Sequence, residues 1–537
     1  MIYTRLILGL LLFLGVSKSN LQSFKNFTEP KTTEIGQQDI TISNFLTHQV
    51  VSPMLAGKDE NTVFQFSFNA NGSGTTRLES IKIDLEGTTN IHDIKHVNIF
   101  YDGSSNDQVV KKKFGNTLSP GKQLIFKGDL PIAEGQHQFS ISVALNKNIN
   151  LLDRIKANCQ SIVFSNGQQI KPEVKKSKVS SQKVSIALRQ RGENHVDTYR
   201  IPGLATTNDG SLIAVYDVRY GNSGDLQGNI DIGMSRSTND GRTWEPMQVI
   251  MDMGRRGNKS EDQNGIGDPS ILVDRNTGTI WVAALWAHGM KGKKAWFASG
   301  QGFTPDETGQ FMLVKSTDDG QTWSEPINIT SQIKKKEWKL MFQGPGKGIT
   351  MRNGTLVFPA QFKDENDIPH STIIYSKDHG KSWNVGTGAK SNTTEAQVVE
   401  LSNGELMLNM RDNRGGSRSV YTTDDLGKTW RKHPTSRSAL QEPVCMASLI
   451  RWPVDKDWSQ RRLLFSNPNN TKSRVNMTIK MSTDDGMTWP KNHQILLNAK
   501  QGYGYSCMTV INKKTVGILY EGVGELYFQN VNISELQ

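Results

Sequence analysis

Three arginines, far apart in the 537-residue sequence, each lie at one end of an apolar, strand-like segment. They are Arg200 in the Tyr-Arg-Ile-Pro motif at 199–202, Arg411 after residues 405–410, and Arg474 at the start of residues 474–479. A guanidinium group offers paired donors that match a planar carboxylate, and it stays charged at any working pH. Taken singly, each arginine is typical of a surface or ion-pair residue. Each arginine lies at a strand end in a different structural repeat, however, so all three side chains can point into one opening on the axis of the repeats. Together they indicate a shared site.

An internal repeat indicates which elements would position these arginines. Five segments have the form Ser/Thr-x-Asp-x-Gly-x-Thr-Trp, at 237–244, 316–323, 376–383, 423–430 and 482–489. Asn239 replaces the Asp in the first, and Ser382 replaces the Thr in the third. Within a tight turn, Asp accepts backbone N–H bonds, Gly adopts a positive φ and Trp covers the apolar face of the hairpin. Five such hairpins predict one four-stranded sheet per repeat, and therefore a β-propeller over residues 184–537.

The carboxylates of these repeats resemble a calcium or catalytic site when one copy is seen alone. All five copies carry nearly the same residues, however, whereas a catalytic or metal site should occur only once in the chain. We therefore expect the repeats to be structural, and we expect no metal site.

Residues 20–180 differ from the repeat region. Alternating apolar and polar residues recur at 62–70, 78–85, 96–101, 123–128 and 138–144, separated by Gly, Asn, Asp and Ser. This pattern predicts a β-sandwich domain. A stretch rich in Lys and Ser at 171–183 predicts a solvated linker after it. Two roles stay open for this domain, a packing partner or spacer and a carbohydrate-binding module.

The first 19 residues are typical of a secretory signal peptide. Arg5 precedes an unbroken apolar run of 11 residues at 6–16, and the small residues Ser17 and Ser19 follow. A membrane-spanning helix needs about 20 apolar residues. We therefore expect export without a transmembrane segment in the mature chain, to the periplasm, the cell surface or the medium.

Charge and cysteine content exclude some classes of function. A net charge of +11 favours anionic partners. The lysine runs at 111–113 and 334–336 are short and lack interleaved aromatic residues, so no nucleic-acid partner is predicted. Cys159, Cys445 and Cys507 are far apart, which indicates buried packing residues rather than disulfides or a zinc site.

With the Tyr-Arg-Ile-Pro motif and five Asp boxes, the sequence resembles the bacterial exo-sialidases, most closely those of the Bacteroidetes type. The resemblance covers nearly everything after residue 186. It implies a six-bladed propeller in which three arginines bind the carboxylate of a terminal sialic acid. By motif, these are Arg200, Arg411 and Arg474.

The same resemblance implies the catalytic groups. Tyr505 in Gly-Tyr-Gly-Tyr-Ser-Cys at 502–507 matches the nucleophile, and Glu395 matches its base. Tyr503 is the rival assignment, although the order Tyr-Ser favours Tyr505. Because the anomeric carbon of sialic acid bears a carboxylate, a neutral phenol meets less repulsion there than a second carboxylate would.

Further residues follow from the same resemblance. Asp225, on a Gly-rich loop, matches the general acid, and Asp231 is the weaker candidate. Arg219 and Asp268 match positions that contact the sugar O4 and rim the pocket, although Asp268 before a proline also fits a turn residue. Trp286 could form a wall for the N-acetyl group, but the role of a buried propeller Trp fits it better.

The resemblance implies a retaining exo-α-sialidase that needs no cofactor and acts on glycoproteins, glycolipids or oligosaccharides. Two alternatives remain at this point. A trans-sialidase, or an enzyme that forms an internal anhydro product, would share these residues. A non-catalytic propeller that binds sialylated glycans would share only the arginines.

Overall fold

The computed structural model describes residues 39–49, 51–104, 111–172, 181–290, 293–452 and 460–537. The described residues are mostly β-strands. Two short α-helices, Ala295–Ala298 and Thr330–Ile333, and five 3₁₀ turns, Ile91–Asp93, Glu193–His195, Glu261–Gln263, Lys491–His493 and Ile533–Leu536, complete the regular structure described. The predicted signal peptide at 1–19 lies outside the described residues. None of the described helices has the length and hydrophobicity needed to cross a bilayer.

Two antiparallel sheets form the N-terminal part. One sheet contains Thr41–His48, Asn61–Asn71, Gly135–Leu145, Ile94–Ser104 and Lys112–Leu118, in that spatial order; the other contains Gln169–Ile170, Asn158–Phe164, Thr76–Asp84 and Gln123–Ile132. Their facing aromatic side chains interlock, with the ring centroids of Phe68 and Phe164 5.5 Å apart in a T-shaped pair. The two sheets therefore share one apolar core, which is the predicted β-sandwich.

Five successive sheets follow, and we number them blades 1 to 5. Blade 1 contains Thr198–Thr206, Leu212–Arg219, Ile230–Ser237 and Gln248–Met251; blade 2 contains Ile266–Val273, Ile280–Trp286, Gln310–Ser316, Ile327–Asn328 and Gly346–Lys347; blade 3 contains Leu340–Gln343, Ile349–Thr350, Leu356–Lys363, Pro369–Ser376, Asn384–Val385 and Lys390–Ser391; blade 4 contains Thr393–Glu400, Leu406–Asp412, Ser419–Thr423 and Arg431–Lys432; blade 5 contains Ser448–Trp452, Arg462–Pro468, Met477–Ser482 and Gln494–Asn498. A small two-stranded sheet, Gly416–Ser417 with Gln441–Glu442, lies between blades 4 and 5.

Blade 6 joins the two ends of the propeller region. It contains Ser506–Asn512, Thr515–Glu521 and Leu526–Asn532, and the last of these pairs with Gln182–Arg189 from the start of the region. The inner strands of blades 1 and 6 pack on each other, which closes the ring. Closure covers the open sheet edges that separate sheets would expose. The predicted all-β fold, a six-bladed propeller after a β-sandwich, is confirmed.

The junction of the two parts differs from the predicted linker at 171–183. Gln182 and Lys183 belong to the blade 6 strand, which also pairs with Met54–Leu55 and Arg154–Ile155 of the N-terminal part. Lys183 is buried, and its charge is compensated by Glu535, whose Oε1 lies 2.7 Å from the lysine Nζ. The Lys and Ser content of residues 171–183 predicted that this lysine lies in solvent. No local pattern shows its partner, which is 352 residues away. Residues 173–180 lie outside the described residues, and the exact domain limits stay predictions.

The repeated turns have the predicted structural role. In the blade 2 copy, Asp318 Oδ1 accepts from the backbone N–H of Thr322 at 2.9 Å and from Ser316 Oγ at 2.7 Å, while Gly320 has φ +83°. The same backbone bond recurs at Asn239, Asp378, Asp425 and Asp484. Asn can replace Asp because the amide oxygen also accepts. Within the described ranges, no cluster of three or more His, Cys, Asp or Glu residues could hold a metal ion.

Candidate active site

A cavity of about 390 Å³ lies at the mouth of the propeller, where its inner strands begin. Side chains from all six blades, or from the loops that lead into them, line it. The residues predicted from the sequence that reach it are Arg200, Asp225, Asp268, Glu395, Arg411, Arg474 and Tyr505. Seven of the eight predicted site residues therefore lie around one space, although they are spread over more than 300 positions of the sequence.

Irregularities in the inner strands aim several of these side chains. The pairing register shifts between Arg200 and Gly203 in blade 1, between Gly267 and Ser270 in blade 2, and between Thr394 and Ala396 in blade 4. Such bulges break the alternation of a strand and redirect a side chain. Ile201 and Asp268 adopt φ +56° and +60° at two of them. Left-handed backbone is costly for a β-branched residue, so the surrounding structure must hold Ile201 there.

Tyr505, Glu395 and Arg411 form a hydrogen-bonded triplet in this cavity. The Tyr505 hydroxyl donates to Glu395 Oε1. Arg411 Nη1 lies 2.5 Å from Glu395 Oε2 and 3.1 Å from the Tyr505 oxygen. A carboxylate is thus placed to take the phenol proton, and a guanidinium group is placed to stabilise negative charge on the phenol oxygen.

Burial raises the pKa of Tyr505 well above its usual value, and the charge of Glu395 raises the pKa further. The positive charge of Arg411 opposes this increase. Tyr505 is therefore a neutral phenol at working pH. It can become a nucleophile only as its proton is removed, which requires a base in direct contact.

Glu521 was missed in the sequence, yet it connects two site residues. This buried carboxylate accepts from Arg200 Nε at 3.1 Å and from the backbone N–H of Ile201 at 2.9 Å through one oxygen. Its other oxygen accepts from the backbone N–H of Tyr505 at 2.9 Å. A signal was present in the sequence, because Glu521 follows the apolar segment 515–520 as Arg411 follows residues 405–410.

The positions of Arg474 and Arg411 relative to their strands differ slightly from the expected ones. Arg474 precedes the strand Met477–Ser482 instead of opening it, and Arg411 lies inside the strand Leu406–Asp412. Arg474 donates to the carbonyl oxygens of Tyr503 at 2.8 Å and Val444 at 3.1 Å. These main-chain acceptors fix its guanidinium group while adding no opposing charge.

Tyr503 has a supporting position rather than one in the cavity. Its carbonyl holds Arg474, and its ring lies under the Arg200 guanidinium, 4.6 Å from Cζ to the ring centroid. Of the two tyrosines, only Tyr505 lines the cavity and contacts a carboxylate.

Contrary to expectation, Arg219 does not lie at the rim of the cavity. It is 1% exposed and lies behind Asp225, bonded to Asp217 Oδ2 at 2.8 Å and to Asp225 Oδ1 at 3.0 Å. The buried Asp217 carboxylate holds the guanidinium inward. Asp217 lies two residues before Arg219 in the same strand, but the sequence did not indicate that both side chains are buried.

Asp225 projects from its loop into the cavity, with 58% of its side chain exposed. Burial, the largest influence, raises its pKa, but the charges of Arg219 and Arg200 outweigh it and hold the pKa below its usual value. The weaker candidate Asp231 does not line the cavity, and burial raises its pKa to about 7. Trp286 is buried away from the cavity lining, as its alternative assignment predicted.

The pKa of Asp268 is shifted in the opposite direction to that of Asp225. Burial raises the pKa of Asp268 well above its usual value, and the nearby charge of Asp217 adds to the increase. The backbone N–H of Asp268 donates to Asp217 Oδ1 at 2.8 Å, so the residue is more than an ordinary turn residue before a proline. A protonated Asp268 can donate a hydrogen bond into the cavity at neutral pH.

A buried pair, Arg418 and Glu442, supports the site from below. Both side chains are fully buried, and Arg418 Nη1 lies 2.9 Å from Glu442 Oε2. Arg418 Nη2 donates to the Glu395 carbonyl at 3.4 Å, while Glu442 accepts from the backbone N–H of Asp412 at 2.9 Å. The pair therefore ties together the main chain on both sides of the Glu395–Arg411 contact. No sequence motif indicated it.

Family models match both parts of the chain. Residues 201–490 match the BNR repeat-like domain, and residues 42–168 match the N-terminal domain of BNR-repeat neuraminidase. Fold and site thus define a glycoside hydrolase of the BNR-repeat class.

Individual proteins agree with this class. A sialidase of Bacteroides fragilis is 43% identical over 512 residues, which cover 90% of this chain and 94% of that protein. A sialidase of Micromonospora viridifaciens is 34% identical over 65% of this chain and 54% of its own length. The solved structure of Hadza microbial sialidase Hz136 superposes with a TM-score of 0.86 at 42% identity, covering 91% of this chain and all of that one. The chain belongs to the sialidase family and is an exo-sialidase, which releases terminal sialic acid.

Proposed function

We propose that the enzyme is a retaining exo-α-sialidase with Tyr505 as nucleophile, Glu395 as its base and Asp225 as general acid and base. The hydrogen bond from the Tyr505 hydroxyl to Glu395, inside a cavity lined by three arginines, is the observation that carries the proposal.

Arg200, Arg411 and Arg474 bind the sialic acid carboxylate. Their guanidinium groups enter one cavity from blades 1, 4 and 5. A charge-assisted, paired hydrogen bond is about twice as strong as a neutral one. Glu521 orients Arg200 and main-chain carbonyls orient Arg474, so the ligand does not have to order these long side chains itself.

In the first step, the bond between the anomeric carbon and the glycosidic oxygen breaks. Asp225 gives its proton to the departing oxygen, while the Tyr505 oxygen bonds to the anomeric carbon and passes its proton to Glu395. Arg411 stabilises the charge that develops on the phenol oxygen. A phenol approaches a carbon beside a carboxylate with less repulsion than a second carboxylate would.

In the second step, water attacks the anomeric carbon as Asp225 takes its proton. The bond to Tyr505 breaks, and Glu395 returns a proton to the phenol oxygen. Two displacements at one carbon leave its configuration unchanged.

Substrate binding prepares Asp225 for its role as acid. In the free enzyme, Arg200 and Arg219 favour the ionised form of Asp225. A bound substrate carboxylate neutralises part of this positive charge and excludes water from the cavity. Both effects raise the pKa of Asp225 toward the range that a general acid needs.

Two measurements test the proposal. Proton NMR of α2,3-sialyllactose hydrolysis should show the α-anomer of free sialic acid first. After incubation with 2,3-difluorosialic acid, mass spectrometry should find the adduct on the peptide that contains Tyr505. A first-formed β-anomer, or an adduct on another residue, would refute the mechanism. Transfer to lactose, or an anhydro sugar as the main product, would instead indicate one of the two transfer reactions.

We also propose that the chain is exported. The N-terminal pattern at 1–19 supports this. Expression in a bacterial host, fractionation and N-terminal sequencing should show a mature chain that starts near residue 20, and an uncleaved cytoplasmic protein would contradict it.

A further inference from the structure

A second and larger cavity, about 800 Å³, lies at the opposite end of the propeller axis. The inner strands that begin at the sialic acid site end here. Their contributions include Thr206 of blade 1, Val273 of blade 2, Ile349 of blade 3, Val399 of blade 4, Leu449 of blade 5 and Thr509 of blade 6. Six residues of extended strand, as from Arg200 to Thr206, span about 20 Å. The two cavities are therefore separate binding spaces.

The charge lining this axial cavity is mostly positive. Its basic residues are Arg275, Lys347, Arg352, Arg451 and Lys513, whereas Glu400 is the one acidic residue in the described lining. Arg352 is bonded to Glu400, and Arg451 is bonded to Asp485. Among the described residues, no carboxylate lies within 4.0 Å of Arg275, Lys347 or Lys513.

Lys347 is the most informative of these cations. Burial lowers its pKa to about 8, and the charge of Arg275 lowers it further, while none of the described carboxylates compensates. Among the described residues, the side-chain hydrogen bond of Arg275 is to a neutral partner, with Nη1 3.3 Å from Asn208 Oδ1. Lys347 is partly exposed and Arg275 is exposed, so an anionic ligand can reach both and supply the missing counter-charge.

Apolar side chains form the rest of the wall. They include Val273, Ile349, Val399, Leu449, Ile450 and Val510. A site that combines a large apolar wall with a few convergent charges suits a ligand with an apolar body and one charged group.

We propose that the axial cavity is a binding site for a soluble organic anion, in which Lys347 and Arg275 hold a carboxylate, sulfate or sulfonate group and the apolar wall holds the body of the ligand. The proposal is independent of the sialic acid site. It assigns a function to two cations of the cavity wall, Lys347 and Arg275, that the hydrolysis of sialosides does not use.

A pair of matched fluorescent probes tests the proposal on the full-length protein. The anionic probe is 8-anilinonaphthalene-1-sulfonate, and N-phenyl-1-naphthylamine has a similar aromatic framework without the sulfonate. We expect the anionic probe to bind with one-to-one saturation and at least about ten-fold more tightly than the neutral one.

Variants locate the binding. Lys347→Met keeps the aliphatic length but removes the charge. We therefore expect it to weaken binding of the anionic probe about ten-fold or more, while kcat/KM for an aryl sialoside stays unchanged. Arg275→Gln, at the open side of the cavity, should weaken the probe as well. Lys127→Met, on the exposed surface of the β-sandwich, is the matched control and should have no effect.

Thermal midpoints check that the variants remain folded. If Lys347→Met lowers the midpoint by more than a few degrees, Arg275→Gln decides the question by itself. Equal affinity for the two probes, or anionic binding that survives both variants, would overturn the proposal.

Discussion

The hydroxyl of Tyr505 donates a hydrogen bond to the carboxylate of Glu395, which lies 110 residues earlier and two blades away around the ring. Arg411 touches both of them, at 2.5 Å from the carboxylate and 3.1 Å from the phenol oxygen. The propeller thus brings a neutral nucleophile, its base and a stabilising cation into a single contact.

Removing the Tyr505 hydroxyl should abolish most of the activity. Tyr505→Phe should lower kcat for an aryl sialoside by at least about 10³-fold, because Tyr505 is the one tyrosine in the described lining of the cavity. The thermal midpoint should change little, since the aromatic ring is retained. Tyr503→Phe is the matched control, because this residue holds Arg474 through its carbonyl and should keep kcat within a few-fold. Comparable losses in the two variants would argue against a nucleophile at Tyr505.

The role of Asp225 can be separated from that of Asp231 by the choice of leaving group. Asp225→Asn should reduce kcat/KM for sialyllactose by about 10²–10⁴-fold. For an aryl sialoside, whose phenolate departs without protonation, kcat/KM should fall much less. Asp231→Asn, in the same blade but outside the cavity, should affect the two substrates equally and weakly. A uniform loss for both substrates in Asp225→Asn would count against the general acid.

Arg474→Lys tests carboxylate recognition. Lysine cannot reproduce a guanidinium group that is held by two carbonyl oxygens, so kcat/KM should fall by about 10- to 100-fold. Arg437 is a matched control because its guanidinium also donates to two main-chain carbonyls, those of Ser417 and Gly415, away from the cavity. Arg437→Lys should leave the kinetics unchanged. Similar kinetics for the two variants would show that Arg474 does not bind substrate.

Glu521→Gln should affect both stability and catalysis. A glutamine has one acceptor oxygen, so it cannot accept from both Arg200 and the Tyr505 backbone N–H. Loss of a buried charge partner typically costs about 3–5 kcal/mol. We expect a lower urea midpoint together with a reduced kcat, measured on the remaining folded enzyme. Glu525→Gln, four residues later, should change neither quantity, and a neutral result for Glu521→Gln would remove its positioning role.

The Asp boxes should make the fold sensitive to acid. Hydrogen bonds from Ser382, the largest of them from its hydroxyl, lower the pKa of Asp378 to about 2, and those from Thr322 do the same for Asp318. Because the folded pKa is lower than the unfolded value of about 3.9, each group stabilises the fold above pH 4, and this contribution is lost as the pH falls toward 2.

Asp378→Asn should weaken this pH dependence without loss of the turn, since Asn239 already performs the same role in blade 1. The drop in thermal midpoint between pH 6 and pH 3 should be smaller than in the wild type by roughly 1–2 °C. Asp209→Asn, at an exposed turn, serves as the control. An unchanged drop in Asp378→Asn would contradict the interpretation.

Local patterns in the sequence were sufficient to predict a propeller, but not its sixth blade. Each Asp box contains its own hydrogen bonds within about eight residues, so five copies predict five hairpins without knowledge of the rest of the chain. Blade 6 has no Asp box. Its existence followed from the resemblance to a family, and the structure shows why the ring closes, with Gln182–Arg189 pairing with Leu526–Asn532.

The sequence by itself determined which residue types could bind a carboxylate and which could attack beside it, because these are properties of single side chains and short motifs. Tertiary structure alone decided the distant partners: Glu521 beneath Arg200 and Arg418 beneath Glu395. Such contacts join positions up to 321 residues apart. Burial of a charge depends on this distant partner, and no local pattern in a single sequence contains it.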